Sequence, residues 1–232
     1  MSWKDKGQQL VYRIINPLIE LLIKLGITPN MVTFLGLLLN VVASVIFIYG
    51  AEHGSRSDHR YVGYGGLAIL LGGLMDMVDG RLARVSNKSS MYGALFDSVL
   101  DRYSEMIMFL GICYYLVSFD YFYSSLFAFI AMIGSIMVSY TRARSEGLGV
   151  SAKGGMMQRP ERILIIGISA LLCGIVSGMG YGDTKIIVDW LPFPLYETIS
   201  IFTFPIFILA IFANITAINR LLEAKELLEP KN

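Results

Sequence analysis

The sequence predicts an all-α integral membrane protein, with six transmembrane helices and an N-terminal amphipathic helix at the membrane interface. Of its 232 residues, 55% are hydrophobic and 16% are charged, whereas a soluble domain carries about 25% charged residues. The mean hydropathy of +0.60 agrees with a membrane protein. The apolar residues are gathered in six stretches, each near the ~20 residues that a helix needs to cross the hydrocarbon core.

The chain is predicted to form a single membrane domain, 1–232, in three parts. Residues 1–28 form the interfacial helix, residues 29–222 the six-helix bundle and residues 223–232 a charged tail. In the first part, apolar residues recur at spacings of three and four with lysine and arginine between them, which is typical of a helix lying in the membrane interface. Packing of the same helix on the face of the membrane domain is the alternative.

Polar breaks in the sequence separate the six expected spans. The first span follows Thr28-Pro29-Asn30, where a proline favours the first turn of a helix. A Gly-rich loop is expected after the fourth span, and a loop that contains Pro192 and Pro194 after the fifth. The spans are placed at residues 31–50, 61–79, 91–117, 121–139 (with an extension through Arg144 left open), 163–181 and 199–218.

Lysine and arginine are distributed unevenly between the two sides of the predicted bundle. Fifteen lie on the side that holds both termini, and only Arg56, Arg60 and Lys185 lie on the other. Because cytoplasmic loops carry the excess of these residues, a multi-pass protein of the cell membrane is expected, with both termini in the cytoplasm.

Four aspartates lie at the predicted cytoplasmic ends of the second and third spans. At about 100° per residue, each pair shares one face of its helix with small residues, and the first pair also with an arginine. Because the loop between these spans is short, the two helices are expected to be antiparallel neighbours whose faces meet. The aspartates are Asp76, Asp79, Asp97 and Asp101, and the accompanying residues are Gly80, Ala83, Arg84 and Gly93.

Four carboxylates in a membrane require neutralisation, since each ionisable group costs about 2.5–3.5 kcal/mol within a membrane helix. Carboxylate oxygens suit Mg²⁺ or Mn²⁺, and four of them bracket a two-metal centre. The histidines, His53 and His59, lie in the loop on the opposite side, which argues against zinc. The four aspartates are therefore the predicted metal ligands. An ion transporter, or aspartates that simply reach the interface, are the alternatives.

The run from Asp76 to Asp101 resembles the CDP-alcohol phosphotransferase signature, D-x2-D-G-x2-A-R-x8-G-x3-D-x3-D, at every position and gap. The resemblance implies an enzyme of phospholipid biosynthesis that transfers a phosphatidyl group from CDP-diacylglycerol, or a related CDP-lipid, to an alcohol and releases CMP. It further implies two Mg²⁺ ions, with Mn²⁺ as the alternative, a homodimer surrounded by membrane lipids, a cytoplasmic active site and no nucleic-acid partner.

The same resemblance implies roles for individual residues. Asp76, Asp79 and Asp97 match ligands of the first metal, and Asp76, Asp97 and Asp101 match ligands of the second. Asp101 also resembles the catalytic base that takes the proton of the acceptor hydroxyl. The positions that match the CDP-lipid contacts are Asn30, Met31, Val32, Thr33, Gly80, Ala83, Arg84 and Ser90.

A second, basic cluster bears on the acceptor alcohol. Ordinary cytoplasmic flanking charge and a pocket for a phosphorylated acceptor both account for it. Its pattern, S-Y-x-[KR]-A-R-x-E and then G-G-x3-R-P-E-R, resembles prokaryotic phosphatidylinositol-phosphate and archaetidylinositol-phosphate synthases, which implies inositol phosphate as the acceptor. Glycerol 3-phosphate, inositol, serine and an amino alcohol remain alternatives. The implied acceptor-site residues are Ser139, Arg142, Arg159 and Arg162.

Overall fold

A computed structural model describes residues 15–152, 154–155, 157–187, 189–190 and 194–229. These residues form a helical bundle with one two-stranded ribbon, in which Ile186 of β1 pairs with Tyr196 of β2 in antiparallel register. The elements are α1 (15–24), α2 (Pro29–His53), α3 (Arg60–Val85), α4 (Met91–Ser118), α5 (Phe122–Gly147), α6 (Arg159–Val176, prolonged by a π-helical turn, Ser177–Tyr181), β1 (Lys185–Ile186), β2 (Tyr196–Glu197) and α7 (Ser200–Leu228).

Local sequence signals account for the starts of the helices that carry the predicted site. Helix α2 has Pro29 in its first turn, where the absence of an amide hydrogen costs nothing. Helix α4 begins at an N-cap, where the backbone N–H of Gly93 donates to Ser90 Oγ at 2.9 Å. Helix α6 begins with Pro160 in its first turn, and the backbone N–H of Gln158 donates to Glu161 Oε2 at 2.9 Å.

The prediction of an all-α membrane protein is confirmed at the level of class. Five of the described helical segments are long and apolar enough to cross a membrane: Pro29–His53, Arg60–Val85, Phe122–Gly147, Arg159–Tyr181 and Ser200–Leu228. Helix α4 is as long, with 28 residues, but it carries Asp97, Asp101, Arg102 and Glu105 and is therefore less apolar. Each of the six predicted spans corresponds to one long helix.

Helix α2 packs against both of the helices that carry the aspartates, α3 and α4. Small residues allow the close approach: a Cβ at Gly111 of α4 would lie 2.6 Å from the Cα of Ser44. Helix α3 also packs on α6, where a Cβ at Gly63 would lie 2.8 Å from the Cα of Gly174. The core, which includes Phe47 of α2, is filled by side chains from α2 through α7.

The aspartate-bearing faces of α3 and α4 line one cavity, as expected, but the two helices do not pack directly on one another. Their described residues make few close backbone contacts with each other, because α3 leans on α2 and α6 whereas α4 leans on α2 and α5. The gap that remains between α3 and α4 is open at the end of the bundle that holds the aspartates, here called the aspartate end.

The two ends of the chain also differ from expectation. Helix α7 continues through Leu228, so most of the predicted tail, 223–232, is helical rather than separate from the last span. Ala224 is buried on this extension, which explains why the helix does not end earlier. Of the predicted interfacial helix, residues 1–14 lie outside the described residues. Its described part, α1, buries Ile15 and Ile19 against α2 and α3.

Replacement of Gly111 tests the packing of α4 on α2. Gly111→Leu is expected to lower the free energy of unfolding by about 1–3 kcal/mol, because the added side chain collides with the α2 backbone. The matched control is Gly147→Leu, since a Cβ at Gly147 would meet nothing within 4 Å. Unfolding in detergent, followed by circular dichroism, measures both. Equal stability of the two variants would contradict the close approach.

Candidate active site

The aspartates line the gap between the end of α3 and the start of α4. Asp79 is buried, and the hydroxyl of Thr33, on α2, donates to its Oδ2 at 2.6 Å. Asp76 lies one turn earlier on α3, beside Gly36 of α2, where a Cβ would lie 3.4 Å from Asp76 Oδ1. Helix α2 therefore forms the floor of the gap, and its small or hydroxyl-bearing residues leave the α3 carboxylates room.

Arg159, at the start of α6, joins the two aspartate helices. Its Nη1 lies 2.5 Å from Oδ2 of Asp76, and its Nη2 lies 2.9 Å from Oδ1 of Asp101. All three side chains are at least four-fifths buried. A single guanidinium thus bridges a carboxylate of α3 and a carboxylate of α4, across the space where the predicted metal centre would lie.

Arg162, predicted to bind the acceptor, lies one turn further along α6 and is fully buried. Its Nε and Nη2 donate to the two carboxylate oxygens of Glu105, at 2.9 and 3.2 Å, and its Nη1 donates to the carbonyl of Met157 at 3.0 Å. The guanidinium is thus committed to protein partners. Glu105 had no predicted role, although its place one turn after Asp101 was a signal that it shares the same helix face.

A cavity of about 170 Å³ opens beside Asp79 and Asp97. Only some of the predicted CDP-lipid contacts line this cavity. Met31 and Val32 lie instead on the other side of α2, along an apolar groove that also contacts α1. Arg84 is exposed at the edge of α3 and donates from Nε to the carbonyl of Gly80. The cavity is lined by Asn30, Thr33, Gly80, Ala83, Ser90 and Gly93, among others.

Packing with neighbouring residues does not require a glycine at position 80. A Cβ there would meet only Nη2 of Arg84, at 3.9 Å, and otherwise open space. The smallness of this residue keeps the cavity open beside Asp79. Such a space, walled by carboxylates and small residues, suits a flat polar group that must approach the backbone closely.

A model of the CDP-alcohol phosphatidyltransferase family matches residues 26–196, well over half of the chain. The chain belongs to this family. Membership makes it a transferase, and it confirms the resemblance found in the signature.

Several relatives within the family cover most of this CDP-alcohol phosphatidyltransferase. The phosphatidylinositol phosphate synthase of Mycobacteroides abscessus is 33% identical over 172 residues, 73% of this chain and 71% of that protein. The archaetidylinositol phosphate synthase of Pyrococcus horikoshii is 33% identical over 211 residues, 90% of this chain and 89% of the other. Both names contain the acceptor class that the basic pattern implied.

The fold also matches a solved structure. The crystal structure of the Mycobacterium tuberculosis phosphatidylinositol phosphate synthase with CDP-DAG bound has a TM-score of 0.71 and 26% identity, and the match covers 92% of this chain and 94% of that one. A second structure of that enzyme, in complex with manganese and citrate, matches with a TM-score of 0.67 and 24% identity, which bears on the fold alone.

An apolar groove of about 540 Å³ runs from the aspartates toward the outside of the bundle, between α3 and α6. Asp76, Asp97 and Arg159 lie at its polar end, and leucine and isoleucine side chains line the rest. Asp97 also lines the 170 Å³ cavity, so the two spaces share one carboxylate. The sequence did not reveal this groove, whose walls come from helices far apart in the chain: Leu70, Leu71, Leu74, Ile163 and Leu164.

The remaining predicted acceptor residues lie on α5. Arg142 is exposed and pairs with Glu146 at 3.0 Å, one turn along the same helix, whereas Ser139 is half-buried. Arg220, which sequence reasoning treated as flanking charge, is buried. Its guanidinium donates to the carbonyls of Gly154 and Val138, both at 2.9 Å, and thus ties α7 to the Gly-rich loop.

The residues fit a divalent metal centre by the chemistry of their donors. The site offers only carboxylate oxygens, which suit Mg²⁺ or Mn²⁺, and Asp76 and Asp101 already share one cationic group. Among the described residues, no three acidic, histidine or cysteine side chains converge on a point that would hold an ion. The guanidinium of Arg159 lies between the carboxylates of Asp76 and Asp101.

The Glu105–Arg162 pair gives a test of its structural role. Glu105→Gln is expected to lower the free energy of unfolding by about 3–5 kcal/mol, because it leaves a buried arginine without a counter-charge. The matched control is Glu146→Gln, which removes the exposed partner of Arg142 and should cost at most about 1 kcal/mol. Urea unfolding in detergent compares the two. A loss for Glu105→Gln no larger than the control's would contradict this role.

Proposed function

We propose that this transferase moves the phosphatidyl group of CDP-diacylglycerol to inositol phosphate and releases CMP. One observation carries the proposal: a small polar cavity and a long apolar groove meet at Asp97, beside carboxylates that are bridged by an arginine. In this proposal the cavity holds the nucleotide, the groove holds the two acyl chains, and the arginine binds the phosphorylated acceptor.

The donor fits the two spaces that share Asp97. Cytidine and its phosphates would enter the 170 Å³ cavity, in contact with Asn30, Thr33, Gly80 and Ser90. Arg84, at the edge of α3, is the proposed partner of a donor phosphate. The acyl chains would leave the site through the apolar groove between α3 and α6, directly into the membrane. We propose no direct CDP contact for Met31 and Val32, since they line a different groove.

The aspartates are the proposed holders of two Mg²⁺ ions, with Mn²⁺ as the alternative. Asp76, Asp79 and Asp97 would bind the first ion, and Asp76, Asp97 and Asp101 the second. Bound in this way, the ions supply charge neutralisation at the donor's pyrophosphate and at the departing CMP.

The chemical step itself is an in-line displacement at phosphorus. The oxygen of the acceptor hydroxyl forms a bond to the phosphorus that carries the lipid, and the bond from that phosphorus to the CMP oxygen breaks with its electron pair. Asp101 takes the hydroxyl proton, provided that it lies within hydrogen-bond reach of the bound alcohol. Thr33 holds Asp79 in place through the 2.6 Å hydrogen bond.

The acceptor is proposed to bind on the α6 side of the aspartates. Arg159 is the cation closest to the carboxylates and the candidate for pairing with the acceptor's phosphate. Ser139 and Arg142 are proposed as further contacts on α5, whereas Arg162 would act only by holding α6. Glycerol 3-phosphate remains the second candidate acceptor because the same arginine would pair with its phosphate equally well.

We also propose six membrane spans, with α4 as the additional one. Its 28 residues are enough to cross. Of its charged groups, Glu105 is buried and Asp101 nearly so, whereas Asp97 and Arg102 are half-buried. With six spans both termini lie on one side, and the excess of lysine and arginine there favours the cytoplasm of a cell membrane. The homodimer rests on the family resemblance alone.

The acceptor is tested by assaying CMP release from CDP-diacylglycerol by the purified protein with Mg²⁺ and one alcohol at a time. Inositol phosphate is expected to support turnover, and a chelator should abolish it. Turnover with glycerol 3-phosphate, inositol or serine but none with inositol phosphate would overturn the acceptor. Metal flux into liposomes without CMP release under any condition would indicate a transporter instead.

Asp101→Asn tests the proposed base. We expect turnover to fall by about 10²–10⁴-fold, the usual contribution of general base catalysis, while CDP-diacylglycerol still binds in the presence of Mg²⁺. Asp120→Asn is the matched control, because Asp120 is exposed at the far end of α4 and asparagine tolerates its positive φ of 63°. Rates and calorimetric binding distinguish the outcomes. Unchanged turnover in Asp101→Asn would rule out this residue as the base.

A further inference from the structure

Two ion pairs connect α4 and α6, although these helices make little backbone contact with one another. Asp101 and Glu105 lie one turn apart on α4, and Arg159 and Arg162 lie one turn apart on α6. Two ion pairs one turn apart therefore join the helices like the rungs of a ladder. Asp101–Arg159 is here called the outer rung and Glu105–Arg162 the inner rung. The side chains, rather than packed backbones, determine how the start of α6 is held above the aspartates.

The inner rung has the features of a permanent contact. Arg162 and Glu105 are 1% and 4% exposed, and their planar groups match in two parallel hydrogen bonds. The third donor group of Arg162 is satisfied by the Met157 carbonyl. Breaking this rung would bury an unpaired charge, which is strongly unfavourable.

The outer rung is satisfied less well. Arg159 divides its guanidinium between two carboxylates on different helices, one oxygen from each. Its Nε is buried and has no hydrogen-bond partner among the described residues. Both of its partners, Asp76 and Asp101, belong to the proposed metal ligands, whereas Glu105 of the inner rung does not.

The balance of charge at the aspartates indicates that the outer rung forms without metal and breaks when divalent ions bind. The four aspartates carry up to four negative charges. Arg159 bridges two of them, Asp76 and Asp101, and Arg102 lies 3.8 Å from Asp101. Two divalent ions would supply four positive charges and leave no deficit for Arg159 to neutralise. A guanidinium within hydrogen-bond distance of the same oxygens would then be repelled, because interactions between charges are strong where water is scarce.

We propose that Arg159 is the internal counter-ion of Asp76 and Asp101 in the metal-free protein, and that divalent cations displace it. The Glu105–Arg162 rung holds the start of α6 in place throughout, so the released guanidinium stays beside the site and pairs with the phosphate of the acceptor. This inference rests on the proposed function for its second half. Its first half concerns only metal binding by the aspartates.

The proposed exchange affects the binding of both metal and acceptor. Arg159 competes with metal for the same carboxylates, so its removal should strengthen metal binding. In the wild-type protein, metal should also strengthen the binding of a phosphorylated acceptor, because Arg159 is otherwise engaged by Asp76 and Asp101. By thermodynamic linkage, the acceptor should then strengthen metal binding by the same factor.

Calorimetric titration of the full-length protein in detergent with Mn²⁺ tests the competition. Arg159→Gln is expected to bind Mn²⁺ at least about tenfold more tightly than the wild type, a ratio equal to ~1.4 kcal/mol. Arg159→Lys, which keeps the charge but loses the two-pronged geometry, is expected to fall between them. The matched control is Arg144→Gln, which removes a cation of α5 that makes no ion pair among the described residues and should leave Mn²⁺ affinity within about twofold.

Thermal unfolding of the same variants gives a second measurement. Without metal, Arg159→Gln should unfold at a lower temperature than the wild type, since the carboxylates lose their counter-ion. Saturating Mn²⁺ should narrow that difference, because bound metal stabilises the variant more. Arg144→Gln should follow the wild type with and without metal.

The outcomes separate this inference from the proposed function. Equal or weaker Mn²⁺ binding by both Arg159 variants, with wild-type binding intact, would overturn the counter-ion role alone. If Arg159→Gln does not fold, Arg159→Lys decides by the same criterion. Absence of Mn²⁺ binding by the wild type would overturn the metal centre itself, and with it the proposed function. Inositol phosphate affinity that does not depend on metal would overturn the transfer of Arg159 to the acceptor.

Discussion

Negative charge concentrated inside an apolar helical bundle is the constraint on which the rest of this structure depends. Asp79 on α3 is buried, Asp76 and Asp101 are at least four-fifths buried, and Asp97 on α4 is half-buried, so each uncompensated charge is costly. The protein compensates them locally. Arg159 bridges Asp76 and Asp101, and the Thr33 hydroxyl binds Asp79. The helix starts, the small residues and the arginines of α6 hold these carboxylates near one another, although α3 and α4 do not pack together.

The architecture keeps α3 and α4 apart while fixing both to α2. Close approach at Gly111 and Ser44 holds α4 on α2, and Gly63 and Gly174 bring α3 against α6. The gap left between the aspartate helices becomes the polar cavity, and its opening between α3 and α6 becomes the apolar groove. A lipid-linked nucleotide needs both environments side by side, so the separation of these helices is the feature of the fold that serves function most directly.

The reaction class could be predicted from the sequence more completely than the geometry of the site could. The spacing from Asp76 to Asp101 is enough to identify the family, because eight residue types at fixed gaps rarely arise without that site. It could not show that α3 and α4 are separated, since a short loop suggests contact and nothing local tells which helix a glycine approaches. It could not show that Arg159 contacts aspartates while Arg162 contacts Glu105, because long side chains find partners that only tertiary packing brings near. The helical extension of α7 was missed for a similar reason. In the sequence, Glu223 looks like the start of a charged tail and Arg220 like flanking charge, but both contact Gly154 of the distant loop.

In the proposed exchange, two metal ions replace one arginine at the aspartates. The most direct test is a crystal structure of the protein soaked with Mn²⁺, with anomalous scattering used to locate the ions. We expect two anomalous peaks within coordination distance of Asp76, Asp79, Asp97 and Asp101, and an Arg159 guanidinium that no longer bridges Asp76 and Asp101. Manganese bound elsewhere, or two ions in the site with the Arg159 bridge intact, would rule out this exchange.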